Sequence, residues 1–183
     1  MVISLSTPIN KDDHYIGSLN APVVMVEYGD FECPNTARVM NATDKLIEEF
    51  RDHICFVFRH FPLIDIHPNS VLAALATEAA HEQGKFWKMY RHILNHQDKL
   101  SGEFIVESAK SVGLDQEKFL SDLENNDEYL QMIQKHMNCG VRSGVNDRTP
   151  TFFLNSIKIE YPTNYNLLRD EILAILRETP ISI

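Results

Sequence analysis

The sequence predicts an α/β fold in which a βαβ unit and a ββα unit are separated by a long helical block. Three observations carry this expectation. Two apolar runs of strand length, Val23–Gly29 and Ile54–His60, flank a stretch with helical spacing. Residues 67–145 are helical in pattern throughout and contain no strand signal. Strand character returns at 151–155 and 157–159, and one more amphipathic helix follows.

The elements follow in order along the chain. Residues 1–20 are polar and irregular, and read as an arm or short hairpin ending at Gly17-Ser18-Leu19-Asn20. Asn20-Ala21-Pro22 punctuates the start of the first buried strand, Val23–Gly29. A helix is expected over 34–50, with Val39, Met40, Leu46, Ile47 and Phe50 on its apolar side. Pro34 suits its first turn, where a missing N–H leaves nothing unpaired. The second buried strand, Ile54–His60, stops at Phe61-Pro62. Residues 70–83 are alanine-rich (Ala73, Ala74, Ala76, Ala79, Ala80), which favours helix and close packing, and Gly84 ends them. Further helices are expected over 86–96, 103–112, 116–124 and 128–141, with breaks at Gly113 and Asn125-Asn126. Asn155-Ser156 reads as a tight hairpin turn between the last two strands. The closing helix covers 165–177, with Leu168, Ile172, Ile175 and Leu176 on one face.

With the helical block set aside, this order is the plan of a thioredoxin fold, whose first crossover builds parallel strands. The expected division is an N-terminal arm at 1–20, a thioredoxin-like domain at 21–66 and 146–183, and a helical insertion at 67–145.

Composition narrows the function classes. The chain has 183 residues, 44% apolar and 23% charged, with a formal charge of −9. These values suit a globular domain, and the acidic balance argues against nucleic acid or an anionic membrane as the main partner. The first residues lack a basic stretch followed by an apolar one, so they do not read as a secretory signal. A cytoplasmic location is expected for the chain as it stands, or a periplasmic one if a leader was removed. The three cysteines, Cys33, Cys55 and Cys139, are too few and too scattered for a disulfide framework. Cys55 lies in an apolar run and reads as core. Cys139 lies in a polar helical stretch and is the one internal thiol that could resolve a mixed disulfide.

Chemistry concentrates at Cys33-Pro34-Asn35-Thr36. A cysteine where a strand ends and a helix begins meets unpaired N–H groups and the positive end of the helix dipole, which favour the nucleophilic thiolate. The tetrapeptide has the shape of a redox Cys-x-x-Cys with Thr36 in place of the second cysteine. Thr36 cannot resolve a mixed disulfide, but its hydroxyl could donate a hydrogen bond to the Cys33 thiolate. Glu27, on a buried strand, is either a proton relay or a residue facing outward at the strand end. The remaining ionisable residues read as scaffold or surface. His92 and His96, four apart on a helix, read as a solvated face, and Glu78 with His81 as a surface pair. His14, His53 and His136 read as surface residues, while His60 and His67 border the active face without a visible partner. No metal site is expected.

Several segments resemble one family. They are 27–34 (Glu-Tyr-Gly-Asp-Phe-Glu-Cys-Pro), 58–63 (Phe-Arg-His-Phe-Pro-Leu), His67-Pro68, 83–87 (Gln-Gly-Lys-Phe-Trp), 143–146 (Ser-Gly-Val-Asn) and 149–153 (Thr-Pro-Thr-Phe-Phe). In that order the sequence resembles the DsbA-like thiol–disulfide oxidoreductases, which have a thioredoxin fold with a helical insertion. The resemblance implies that Cys33 is an exposed, reactive nucleophile, with Pro34 and Asn35 as the two residues that follow it. It implies that Pro150 is a cis-proline and that Thr149 and Pro150 pair with an extended substrate beside Cys33. It implies that Glu27 is a buried carboxylate beneath the site. Thr36 departs from the family's resolving cysteine, and Asp147-Arg148 stands where a glycine often precedes Thr-Pro. The implied activity is thiol–disulfide exchange on protein or peptide thiols and disulfides, with an external thiol such as glutathione as co-substrate and no tightly bound cofactor. Two alternatives remain: a peptide-binding module without turnover, and a kappa-type glutathione transferase or isomerase.

Overall fold

The computed structural model describes residues 3–159 and 164–178. Residues 1–2, 160–163 and 179–183, parts of the predicted arm and of the C-terminal half of the predicted domain, lie outside the described residues. Five strands form one sheet: β1 His14–Gly17, β2 Val23–Gly29, β3 Ile54–His60, β4 Thr151–Leu154 and β5 Ile157–Lys158. Their order is β1-β3-β2-β4-β5. β2 and β3 are parallel, with Val23 opposite Ile54 and Gly29 opposite His60. The other pairings are antiparallel. Seven α-helices accompany the sheet among the described residues: α1 Pro34–Glu49, α2 Ser70–His81, α3 Phe86–Leu94, α4 Gly102–Ser111, α5 Gln116–Glu124, α6 Asp127–Arg142 and α7 Tyr165–Glu178. Helices α2 to α6 run in succession, broken only by turns and the 3-10 segment Gln97–Lys99. This is a thioredoxin-like α/β fold.

Side-chain alternation on β2 sorts the core. Val23 and Met25 join Phe56, Phe58, Phe152 and Leu154 in the larger cluster, with Met40 and Leu46 of α1, Met89 and Ile93 of α3, and Leu168 and Ile172 of α7. Val26 and Tyr28 point the other way, into a smaller cluster with Cys55, Val57, Phe61 and Phe153, closed by Leu5 and Ile9 of the arm. Each fully buried phenylalanine contributes about 1.5–3 kcal/mol of hydrophobic stabilisation. Helix α6 approaches this second face at Gly140, where a Cβ would lie 2.7 Å from the Phe61 ring and 3.1 Å from that of Tyr28. A larger residue there would push the helix off the sheet.

The hairpin turn at Asn155-Ser156 places both residues at positive φ, 43° and 70°, as a two-residue turn matched to strand twist requires. Asn155 also ties the turn to the sheet, its Oδ1 accepting from the Val24 N–H at 2.8 Å.

The arm differs from the sequence expectation. Residues 14–17 form the edge strand β1 rather than an irregular segment, with His14 opposite Phe58. Arg59 explains its order. The guanidinium donates to both oxygens of Asp13 at 2.7 and 2.9 Å and to the carbonyls of Thr7 and Pro8 at 3.0 and 3.1 Å. A bidentate, buried arginine fork thus pins the arm to β3. Among the described residues no helix is long and apolar enough to cross a membrane.

Candidate active site

The site is built at the carboxyl end of β2. The strand delivers Asp30, Phe31 and Glu32 into a short loop, and Cys33 caps α1 in an extended conformation (φ −75°, ψ 120°) with Pro34 in the first turn. Asp30, itself buried, organises the loop. One carboxylate oxygen accepts from the Glu32 N–H at 2.8 Å. The other accepts from the Leu63 N–H and the His67 Nδ1, both at 2.7 Å. The loop after β3 is thereby held against the loop before Cys33. Gln97, from the 3-10 segment of the helical block, donates to the carbonyls of Phe31 and Cys33 at 2.6 and 3.0 Å. Glu32 accepts from the backbone and side chain of Asn69 at 2.6 and 3.0 Å.

Cys33, Pro34, Asn35, Thr149 and Pro150 line one cleft of about 410 Å³. Leu63, Ile66 and His67 form one wall, and Asp147 with Arg148 contributes to the rim. The Thr149–Pro150 peptide is cis. The Cys33 thiol donates to the Thr149 carbonyl at 3.1 Å, across 116 residues of sequence.

Three placements refine the sequence reading. Cys33 is only 6% exposed rather than open, because the loops after β3 and before β4 close over it. The Thr36 side chain is fully buried, and its hydroxyl accepts from the Asp30 N–H at 3.4 Å. Among the described residues no hydrogen bond joins that hydroxyl to the Cys33 sulfur, which turns instead to Thr149. Glu27 faces inward, with no exposure and no hydrogen-bond partner for either carboxylate oxygen. Burial, with a smaller contribution from the charge of Asp44, pushes its carboxyl up to about 8. It therefore holds a proton at neutral pH.

The other two cysteines lie apart from this arrangement. Cys55 is fully buried, and desolvation with the nearby Asp13 charge pushes its thiol up to about 11. Cys139 is buried on α6, its sulfur 3.2 Å from both the Thr7 hydroxyl and the Arg142 guanidinium. It is engaged with the arm and does not line the Cys33 cleft.

Several histidine and carboxylate assignments change. Glu78, expected on the surface with His81, is 1% exposed and accepts from His14 Nε2 at 2.7 Å and His60 Nε2 at 2.5 Å. His14 and His136, expected at the surface, are buried as well. Desolvation pulls His136 down to about 3, so it is neutral. The cause throughout is the arm, which covers the end of α2 and the edge of β3 once β1 pairs. His92 and His96 are half-buried against Phe104 rather than solvated. Sequence spacing missed the Asp30 hub and the Asp13–Arg59 pair. One signal was available: Arg59 interrupts an otherwise apolar strand, and such a residue implies a buried counter-charge.

The sequence profile of the family described as thioredoxin matches residues 9–173. The Na(+)/H(+) antiporter NhaA 1 of Mycolicibacterium vanbaalenii is 38% identical over 162 residues, covering 87% of this chain and 26% of that protein. The chain thus spans about a quarter of the length of the curated relatives it matches, and their names describe the activity of the whole proteins. Among solved structures, a thioredoxin-like oxidoreductase from Silicibacter pomeroyi superposes with a TM-score of 0.82 at 25% identity, covering 93% of this chain and 95% of that one. The thiol-disulfide exchange protein alpha-DsbA2 from Wolbachia pipientis superposes with a TM-score of 0.81 at 24% identity, covering 91% and 88%.

Proposed function

This chain belongs to the thioredoxin family and shares the fold of DsbA-like proteins, and from that premise we propose that it carries out thiol–disulfide exchange through the single cysteine Cys33, with an external thiol completing the cycle. The observation that carries the reading is the placement of the Cys33 sulfur 3.1 Å from the Thr149 carbonyl, in a cleft shared with Pro150.

The steps balance with one thiol. The Cys33 thiolate attacks the glutathione sulfur of a glutathionylated protein. A bond forms between the Cys33 and glutathione sulfurs, the substrate S–S bond breaks, and the substrate leaves as a thiolate that takes a proton. A second glutathione thiolate then attacks the mixed disulfide, releasing oxidised glutathione and returning the Cys33 thiolate. Thr36, buried and without sulfur, takes no part in resolution. Cys33 stands at the N-cap of α1, the helix end that favours negative charge. Thr149 and Pro150 present backbone to an extended peptide, while Pro34 and Asn35 form the floor beside the sulfur. Glu27 is the buried proton store for the thiol step, since it is protonated at neutral pH.

One observation favours a second reading, a peptide-binding cleft without turnover. Ile64 and Ile66 are 59% and 66% exposed, and Ile66 lines the cleft, offering an apolar contact that binding alone would use. Turnover of a glutathionylated peptide by excess glutathione separates the two. The exchange reading expects multiple turnovers by the wild type and none by Cys33→Ser. Equal peptide affinity in both proteins with turnover in neither supports the binding reading.

A further inference from the structure

Away from the Cys33 cleft, three ligand-type atoms converge in the interior. His14 Nε2 comes from β1, His60 Nε2 from the end of β3, and Glu78 Oε1 from the last turn of α2. All lie within 4.8 Å of one another. The three residues are 4%, 0% and 1% exposed, and none of them lines the cleft. We propose that His14, His60 and Glu78 bind one divalent transition-metal ion of the zinc type.

Charge and donor chemistry both support this assignment. Asp13 and Arg59, the chain neighbours of His14 and His60, neutralise each other through the fork at 2.7 and 2.9 Å. Glu78 is left as a buried carboxylate whose hydrogen-bonding neighbours are two imidazoles. Its Oε1 accepts from both, at 2.7 and 2.5 Å, as the oxygen of an ionised carboxylate does. A cation at the convergence point compensates that charge directly. Two imidazole nitrogens and one carboxylate oxygen are the borderline donor set that zinc takes, with a fourth position left for water. Calcium and magnesium demand six or more oxygen ligands, which the site lacks.

The ring environment permits the change of state. In the metal-free form both imidazoles donate from Nε2 to Glu78; coordination requires the proton on Nδ1 instead. His60 Nδ1 is buried without a hydrogen-bond partner, so no donor opposes that tautomer. His14 is stacked on Phe86 at 3.7 Å between centroids, which fixes its plane. At the end of α2 the exposed His81 ring sits 4.6 Å from that of His14. His136 is not a fourth ligand in this arrangement, because its Nδ1 accepts from the His60 backbone N–H at 3.3 Å.

The test is titration of the chelator-stripped full chain with Co2+, followed by competition with Zn2+. The wild type should take up one equivalent of Co2+ with visible bands of a four-coordinate nitrogen and oxygen site, and Zn2+ should displace it. Proton spectra of the Co2+ form should show two shifted imidazole N–H signals, a readout that needs no variant. Cys33→Ser should bind identically, and folded Glu78→Gln and His14→Phe should each bind at least about tenfold more weakly. Substoichiometric uptake by the wild type, fewer than two shifted signals, loss of binding in Cys33→Ser, or unchanged affinity in the folded ligand variants would overturn the proposal.

Discussion

Glu27 on β2 and Glu78 on α2 are both shut away from solvent, yet they are held in opposite protonation states. Neither oxygen of Glu27 has a partner, and its carboxyl is pushed up to about 8. Glu78 accepts from two imidazoles and is pulled down to about 2. The difference shows that burial sets how much a charge costs, while partners decide whether the charge exists. It also separates two kinds of region. The sheet end that leads to Cys33 stores a proton and leaves polar atoms unpaired. The junction of β1, β3 and α2 gives its carboxylate two imidazole partners and ties the arm to the helical block.

The largest expected effect breaks the second region. In metal-free protein Glu78→Leu leaves two buried imidazole donors without an acceptor, at about 1–3 kcal/mol each, so a loss of about 2–6 kcal/mol is expected in denaturant unfolding. A loss below about 0.5 kcal/mol would mean the histidines find other partners.

Glu27 should move stability in the other direction, and only with pH. Its folded pKa of about 8 lies above the ordinary 4.5, so the folded state binds more protons between these values. Its contribution to stability is complete below about pH 4.5 and falls away as pH rises through 8. Relative to wild type, Glu27→Gln should gain on the order of 4 kcal/mol between pH 5 and 9. Parallel stability–pH curves for the two proteins would contradict the raised carboxyl.

The same variant should slow exchange. Glu27→Gln is expected to lower turnover of a glutathionylated peptide about a hundredfold or more near neutral pH, the lower end of the range for removing a proton-transfer group. Turnover equal to wild type would confine Glu27 to the core. The smallest effect on stability, about 1–2 kcal/mol, belongs to Thr36→Cys, which removes a buried methyl group and the hydroxyl on α1. Its consequence is chemical: a second thiol one helical turn from Cys33 should allow an internal disulfide, read by loss of free thiol on mild oxidation.

The strands β2, β3, β4 and the helix α1 were legible in the sequence because apolar runs, proline and glycine mark them locally. So was the tetrapeptide at Cys33. β1 was not, because His14-Tyr15-Ile16-Gly17 has too few apolar residues to signal a strand and owes its form to pairing with β3. The Glu78 cluster was hidden for a related reason. Its members are 64 and 18 residues apart in sequence, and two of them, His14 and Glu78, read as surface residues. The Thr36 hydroxyl was directed by Asp30, a tertiary neighbour that helical spacing does not reveal.

The most direct measurement is the site of mixed-disulfide formation. The wild-type chain is treated with a glutathionylated peptide, trapped with acid, and mapped by peptide mass spectrometry at all three cysteines. One adduct is expected, on Cys33, that disappears when excess glutathione is added, with Cys55 and Cys139 unmodified. An adduct first on Cys139 or Cys55, or a Cys33 adduct that glutathione cannot release, would contradict a single-cysteine exchange cycle completed by an external thiol.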